Sequence, residues 1–296
     1  MDYKSTENWV LSRLPSYQAI GKKAYNPGLK NVVKFVSTLD LPIDSLNLIH
    51  VGGTNGKGST SSYISSILQE SNYQVGIFSS PHFFDFRERI KINNQKISKS
   101  FIVDFVNKYK SLIEELELSF FELSFCISLA YFVHNDVDYA VIEVGLGGRL
   151  DATNIINPLI SVITNISYDH TDILGNSLEM IALEKAGIFK KNSTIIVGER
   201  NDSVDEIFIN KANEVSSKIT FVPDYNDQKQ YSSVNYLNTN IKTAIYTCKA
   251  LNIENVDNNS IITGISNINK NCHLIGRWST VSYTHLTLPT NGLVWW

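Results

Sequence analysis

Cysteine is scarce in this 296-residue chain: Cys126, Cys248 and Cys272 are three, odd in number and far apart. Such usage excludes a disulfide framework and a cysteine metal knuckle, and it suits a reducing cytosol. A basic excess is also missing. Lys+Arg total 26 against 29 Asp+Glu, a formal charge of −3, whereas a protein held by nucleic-acid phosphates needs surplus cations. No apolar run reaches the roughly 20 residues of a spanning helix. The most apolar stretch, Phe120 to Val133, is interrupted by Glu122. Met1 to Asn8 is polar and acidic, without the apolar segment of a secretory leader. These absences predict a cytoplasmic protein with no nucleic-acid partner and no membrane partner. Hydrophobic residues at 43% and charged residues at 19% leave ample material for a core and exclude global disorder.

Periodicity supplies the architecture. Leu46 to Val51 reads as a buried strand followed at once by glycines, and Ser59 to Glu70 turns helical. Strands are expected at Gln74 to Phe78 and Arg89 to Asn93, with Asn93-Asn94 as a hairpin turn. Helical spacing runs over Ser100 to Leu116 and Glu122 to His134, ahead of an apolar strand from Tyr139 to Val144. The alternation continues with strands at Leu159 to Thr164, Thr194 to Val197 and Ile219 to Val222, and helices at Ser177 to Ile188 and Asp205 to Ser216. Continuous apolar strands alternating with helices predict an α/β fold, a mostly parallel sheet flanked by helices. The end differs. Ser279 to Trp296 contains no Asp, Glu, Lys or Arg, and Val281 to Thr290 resembles translated adapter sequence; it is set aside as a non-native tail.

The strongest chemical signal is Gly52-Gly53-Thr54-Asn55-Gly56-Lys57-Gly58-Ser59-Thr60, between strand and helix. Glycines allow successive backbone N–H groups to turn onto phosphate oxygens, and the helix N-terminus adds partial positive charge. Lys57 is placed to reach β- and γ-phosphates, and the hydroxyl of Ser59 or Thr60 to approach Mg²⁺. The common pattern G-x-x-x-x-G-K-S/T is not strictly met: Val51 stands at the first glycine and Gly58 follows the lysine. Glu143 ends an apolar strand, where the ligand crevice of an open sheet lies, and a carboxylate there suits a hard cation.

Five motifs occur in order. They are Gly53-Thr54-Asn55-Gly56-Lys57-Gly58-Ser59; Ser79-Ser80-Pro81-His82; Glu143 through Gly148-Arg149-Leu150-Asp151-Ala152-Thr153-Asn154; Asp169-His170-Thr171-Asp172; and Glu184-Lys185-Ala186-Gly187-Ile188-Phe189. Together they resemble the dihydrofolate synthase/folylpolyglutamate synthase branch of the Mur ligase family, over roughly residues 8 to 278. The resemblance implies a P-loop NTPase-like Mur ligase central domain at 1–278. It implies ATP held by Gly53, Thr54, Asn55, Gly56, Lys57, Gly58, Ser59 and Thr60, with Asn240 and Arg277 as further nucleotide contacts. Ser80, Glu143 and His170 would be the Mg²⁺ ligands, and Lys185 the lysine that the family carbamylates. Lys57, His170 and Lys185 are the candidate catalytic residues. Asn26, Pro27 and Gly28, the segment Ser119, Phe120, Phe121, Glu122, and Leu150, Asp151, Ala152 match stretches that contact the pterin.

The resemblance further implies ATP-dependent amide formation, with L-glutamate added to dihydropteroate or a (tetrahydro)folate through an acyl phosphate. A monomer is expected, its partners being these small molecules and ATP. The family's second α/β domain, opened by an Asp-Gly-Ala-His-Asn-type motif, has no counterpart here, so a fragment with impaired turnover is expected. Two other readings stay open: a peptidoglycan Mur ligase, and a non-catalytic P-loop nucleotide-binding protein. Against the first, only about forty-five residues precede the loop; against the second, there is no guanine-specifying N-K-x-D motif.

Overall fold

The computed structural model describes residues 1–14, 28–223, 231–232 and 234–273. Asn26, Pro27, Arg277 and the segment 279–296 lie outside the described residues. Among the described residues eight strands form one sheet: β1 Leu48–Gly52, β2 Val75–Phe78, β3 Ile90–Ile92, β4 Gln95–Lys96, β5 Tyr139–Glu143, β6 Ile160–Ile163, β7 Thr194–Val197 and β8 Lys218–Phe221. Their order across the sheet is β4-β3-β2-β5-β1-β6-β7-β8. All neighbours pair in parallel except β2–β3 and β3–β4, which are antiparallel. The mostly parallel α/β sheet expected from the sequence is the one observed.

Both faces of the sheet are covered, which is why the central strands read as unbroken apolar runs. Every residue of β1, β2 and β5 is buried. Alternation still sorts their side chains. Leu48, Phe78, Ala140 and Ile142 join a core with Phe120, Leu123 and Ile127. Ile49, Val51, Ile77 and Val141 face the opposite way, onto Tyr63, Ile64, Ile67, Ile241 and Ile245. A third cluster, including Ile163, Ile195 and Val197, packs under Ala182, Ala186 and Phe208. The three cysteines are buried and free.

Helix starts follow local chemistry. Ser98, Ser119 and Ser177 each accept a backbone N–H at the N-cap of the helices Lys99–Glu115, Phe120–His134 and Leu178–Ala186. Asn93 and Asn94, at φ 43° and 65°, make the tight β3–β4 turn. Helices over Tyr3–Arg13, Lys30–Leu39, Asn235–Ala250, Asn258–Ser266 and Ile268–Cys272 are additions to those marked by periodicity. The last three pack on the phosphate-loop helix Lys57–Glu70, where Ser66 donates to the Gly264 carbonyl at 2.6 Å and Asn271 donates to Ser66. Among the described residues no helix is long and apolar enough to cross a membrane.

Strand order positions the site. Because β1 lies between β5 and β6, and β2 lies beside β5, the segments leaving those strands meet at one edge: Gly53–Lys57, Ser79–His82, Val144–Asp151 and Thr164–His170.

Candidate active site

The loop after β1 is fixed by close packing. Gly53 has φ +139°, and a Cβ on it would lie 1.8 Å from Thr164 Oγ1. Gly56, at φ +79°, would bring a Cβ within 2.2 Å of Asn240 Oδ1. Only glycine fits these two positions. Just past β6, Thr164 donates to the Asn55 carbonyl, and Asn165 accepts the N–H groups of Thr54 and Asn55, each at 3.0 Å. Thr54 Oγ1 donates to the Ser167 carbonyl and accepts the Ser167 N–H. The helix begins at Lys57, two residues before the periodicity suggests, with left-handed Gly56 as its N-cap. Backbone donors of Gly58 and Ser59 therefore fall in the first turn, as anion binding requires. Thr60 is buried, and its hydroxyl has no hydrogen-bond partner among the described residues. Asn240, expected as a nucleotide contact, stands against this loop at Gly56.

Two lysines converge on one carbonyl. Lys57 Nζ donates to Gly53 O and Thr54 O, each at 3.0 Å, and Lys185 Nζ donates to the same Gly53 O at 2.9 Å. Lys185 is only 4% exposed. Burial first, and the neighbouring Lys57 charge second, pull its pKa down to about 7, against the opposing pull of Asp169 and Asp151. A lysine mid-helix is usually solvated; this one is turned inward.

Glu143, 4% exposed, ends β5 and accepts the Ser80 N–H at 3.1 Å. Burial pushes its pKa up to about 7, opposed by Lys57, the Ser80 N–H and Arg89. Gly58 places its Cα hydrogen toward this carboxylate: a Cβ there would lie 3.7 Å from both oxygens. Ser80 and Glu143 are thus brought together as the sequence motifs imply. His170 sits at left-handed φ 46° as N-cap of the short helix Thr171–Leu174. Its pKa is lowered mainly by burial, with Lys57 and Lys185 adding to the fall and Asp169 opposing. His170 therefore shares the electrostatic neighbourhood of both lysines. Among the described residues no three His, Cys, Asp or Glu side chains cluster at metal-holding distance. The candidate ligand set has one carboxylate, one imidazole and one hydroxyl, and its oxygen donors are of the kind a magnesium ion takes together with waters.

The glycine run after Val144 explains how Lys185 reaches the loop. A Cβ on Gly148 would lie 2.6 Å from the Glu184 carbonyl and 3.0 Å from Lys185 Cα, so the turn packs directly on the helix Leu178–Ala186. Arg149 N donates to Glu184 O at 2.8 Å, and its guanidinium pairs with the Glu184 carboxylate at 2.7 Å. Asp151 pins the turn from the other side. It accepts the Leu146 N–H at 2.8 Å and the Thr153 N–H at 3.0 Å, together with the Thr153 hydroxyl. Since that hydroxyl gives its proton to Asp151, the His50 Nε2 bonded to it at 2.8 Å must be the donor. Burial drives the His50 pKa down to about 3, so its ring is neutral.

The residues expected to touch a pterin divide. Phe121 is half-buried, packs on Phe78 at 5.5 Å and abuts Gly145, where a Cβ would meet its ring at 2.6 Å. Leu150 is half-buried and Ala152 buried. Phe120 is core, packed on Phe86 at 5.4 Å. Ser119 and Glu122 form a reciprocal capping box, the Ser119 N–H reaching Glu122 at 2.8 Å, so their polar groups are engaged in helix capping. Asp151 is likewise occupied with the turn. At Gly28, with φ +151°, an added Cβ would meet nothing within 4 Å among the described residues. Sequence reasoning misses Thr164 and Asn165, whose bonds define the phosphate loop, and Arg89, buried beside Glu143. No motif flags the first two; Arg89 is masked by the strand-like alternation that begins with it.

Comparison with known proteins agrees with this geometry. Residues 51–271 match the Mur ligase middle domain. The dihydrofolate synthase/folylpolyglutamate synthase of Bacillus subtilis (strain 168) is 40% identical over 201 residues, covering 66% of this chain and 45% of that protein. The crystal structure of folylpolyglutamate synthase from Thermotoga maritima superimposes with a TM-score of 0.77 at 29% identity, over 90% of this chain and 65% of that one. A bifunctional folylpolyglutamate synthase/dihydrofolate synthase solved with Mn, AMPPNP and L-glutamate bound gives 0.74 at 27% identity, over 90% and 66%. The chain spans less than half the length of the Bacillus relative. A phosphate-type loop after the central strand, a buried acid on the neighbouring strand and an inward lysine behind both thus come with a matching sequence profile: the chain belongs to the Mur ligase family and carries its middle domain.

Proposed function

We propose that this chain is the nucleotide-binding part of an ATP-dependent ligase that joins L-glutamate to dihydropteroate or a (tetrahydro)folate. The carrying observation is the convergence of Lys57, Lys185 and the Gly53–Ser59 amides beside the buried Glu143, which accepts the Ser80 N–H. Similarity to dihydrofolate synthase/folylpolyglutamate synthase of Bacillus subtilis, and to a related enzyme solved with Mn, AMPPNP and L-glutamate, supports the substrate class.

In this reading the N–H groups of Gly56 to Ser59 receive the ATP phosphates at the helix N-terminus. Lys57 leaves its own loop carbonyls for the β- and γ-phosphoryl oxygens and spreads the charge of the transferring group. A substrate carboxylate oxygen attacks the γ-phosphorus and ADP departs, giving an acyl phosphate. The α-amine of glutamate then attacks that carbonyl, loses a proton and expels phosphate, so the amide forms. Ser80, Glu143 and His170 would hold a magnesium ion, which when bound neutralises phosphate charge. Glu143 suits that part because burial leaves its carboxylate short of compensation near neutral pH. Lys185 suits carbamylation: an amine brought near pKa 7 has a free lone pair for carbon dioxide, the addition releasing one proton. Phe121, Leu150 and Gly28 would contact the pterin, as the resemblance implies.

The test is isothermal titration of the chain with ADP and a non-hydrolysable ATP analogue, with and without Mg²⁺. Saturable, magnesium-dependent binding that Lys57→Ala weakens at least tenfold supports the proposal. Binding that is absent, or that prefers guanine nucleotides, removes it.

A further inference from the structure

Arg89 lies outside the residues assigned to nucleotide phosphates, yet it is almost wholly inside the protein at 4% exposure. Its backbone carbonyl accepts the Ser79 N–H at 3.0 Å. Its Nε donates to His82 Nδ1 at 2.8 Å, and its guanidinium carbon lies 4.9 Å from the centre of the Phe120 ring. His82 packs between that ring and Phe86, 6.0 Å from Phe120 and 6.4 Å from Phe86. Both ends of the short segment Ser79 to His82 are thus tied to one arginine, and between them the Ser80 N–H points at Glu143.

We propose that Arg89 is a positioning residue: by holding His82 through Nδ1, with its charge seated on Phe120, it sets the loop that places Ser80 on Glu143.

The bond also decides the tautomer. An arginine has donors only, so His82 Nδ1 must present its lone pair and the neutral ring carries its proton on Nε2. A lysine lacks a planar fork that can stack on a ring while donating sideways from Nε, so Arg89→Lys is not conservative here. The next stretch of loop is held separately. Glu88 accepts the N–H groups of Phe83 at 2.8 Å and Asp85 at 3.2 Å, and Asp85 pairs with Arg87 at 2.7 Å. Loss of the Arg89 side chain should therefore free the His82 end of this segment, the Ser79 N–H keeping its bond to the backbone carbonyl, without unravelling residues 83–88.

Amide hydrogen exchange of the full chain without ligand, resolved at Ser80, tests this apart from any metal or nucleotide reading. Arg89→Met and His82→Phe, which keep volume but remove donor and acceptor, should each speed Ser80 exchange about tenfold, as loss of one charge-assisted hydrogen bond implies. His82→Asn, whose amide oxygen can stand in for Nδ1, should stay near the wild-type rate. Amides of Ile49 to Val51 in β1 should be unchanged in all three. Unchanged exchange at Ser80, or acceleration spread evenly over Ser80 and β1, overturns the proposal. If Arg89→Met does not fold, the contrast between His82→Phe and His82→Asn decides by the same criteria.

Discussion

Gly58→Ala separates folding from function at the point where the two come closest. Gly58 lies in the first turn of the helix Lys57–Glu70, and a Cβ there would meet nothing nearer than the Glu143 oxygens at 3.7 Å. That is ordinary van der Waals contact. Replacing a helical glycine by alanine should then stabilise the fold by roughly 0.5–1 kcal/mol, chiefly by restricting the unfolded chain. For a chain of this size the change raises the melting temperature by about 1–2 °C. The methyl group, however, stands where water or a cation must approach the carboxylate. Magnesium-dependent nucleotide affinity should fall at least tenfold, about 1.4 kcal/mol. Gly53→Ala is the contrasting perturbation. Its methyl would overlap Thr164 Oγ1 at a φ of +139°, and strain, overpacking and displaced Thr164 bonds together cost about 3–5 kcal/mol. Differential scanning calorimetry and titration calorimetry on the two variants read both effects. Wild-type magnesium–nucleotide binding by Gly58→Ala, or a Gly53→Ala variant that melts as high as Gly58→Ala, would refute this picture of the loop.

Asp151→Asn puts an amide nitrogen where the Leu146 N–H or a Thr153 donor now finds an oxygen, and denaturant unfolding should show a loss of about 1–3 kcal/mol. Ser119→Ala removes one half of a capping box and should cost about 1 kcal/mol by the same assay, without altering nucleotide binding. Lys185 has a folded pKa of about 7 against the usual 10.5. The unfolded chain therefore binds the extra proton between those values, and this group makes stability rise as pH climbs from about 7 to 10.5. Lys185→Met should flatten that rise in pH-resolved unfolding of the ligand-free chain; an unchanged slope would mean the lysine is not the source.

Much of the fold is legible in the sequence because the signals are local. Unbroken apolar runs such as Tyr139–Val144 mark strands buried on both faces, and the Gly52–Thr60 cluster marks the strand-to-helix turn within two residues of its observed start. Strand order is not legible. That β1 sits between β5 and β6 depends on pairings far apart in sequence, and so do the bonds from Thr164 and Asn165. The helix Asn235–Ala250 escapes notice because many of its buried residues are Asn, Thr or Cys, among them Asn238, Thr243 and Cys248, which blurs an apolar stripe. Motifs single out Ser80 and Glu143, which the fold brings together through one hydrogen bond. Glu122 and Asp151, picked out by motif letters, also take hydrogen bonds that build a helix cap and a turn, a structural part that the letters do not announce.

The proposed chemistry depends on one shared ion site beside a phosphate loop. Crystals of the chain grown with Mn²⁺ and AMPPCP, with data collected at the manganese edge, would locate that ion by its anomalous signal. A single peak within about 2.0–2.3 Å of Ser80 Oγ, a Glu143 oxygen and a His170 nitrogen, with phosphates on the Gly56–Ser59 amides, is the predicted outcome. Manganese bound elsewhere, with Glu143 still accepting the Ser80 amide, would contradict it.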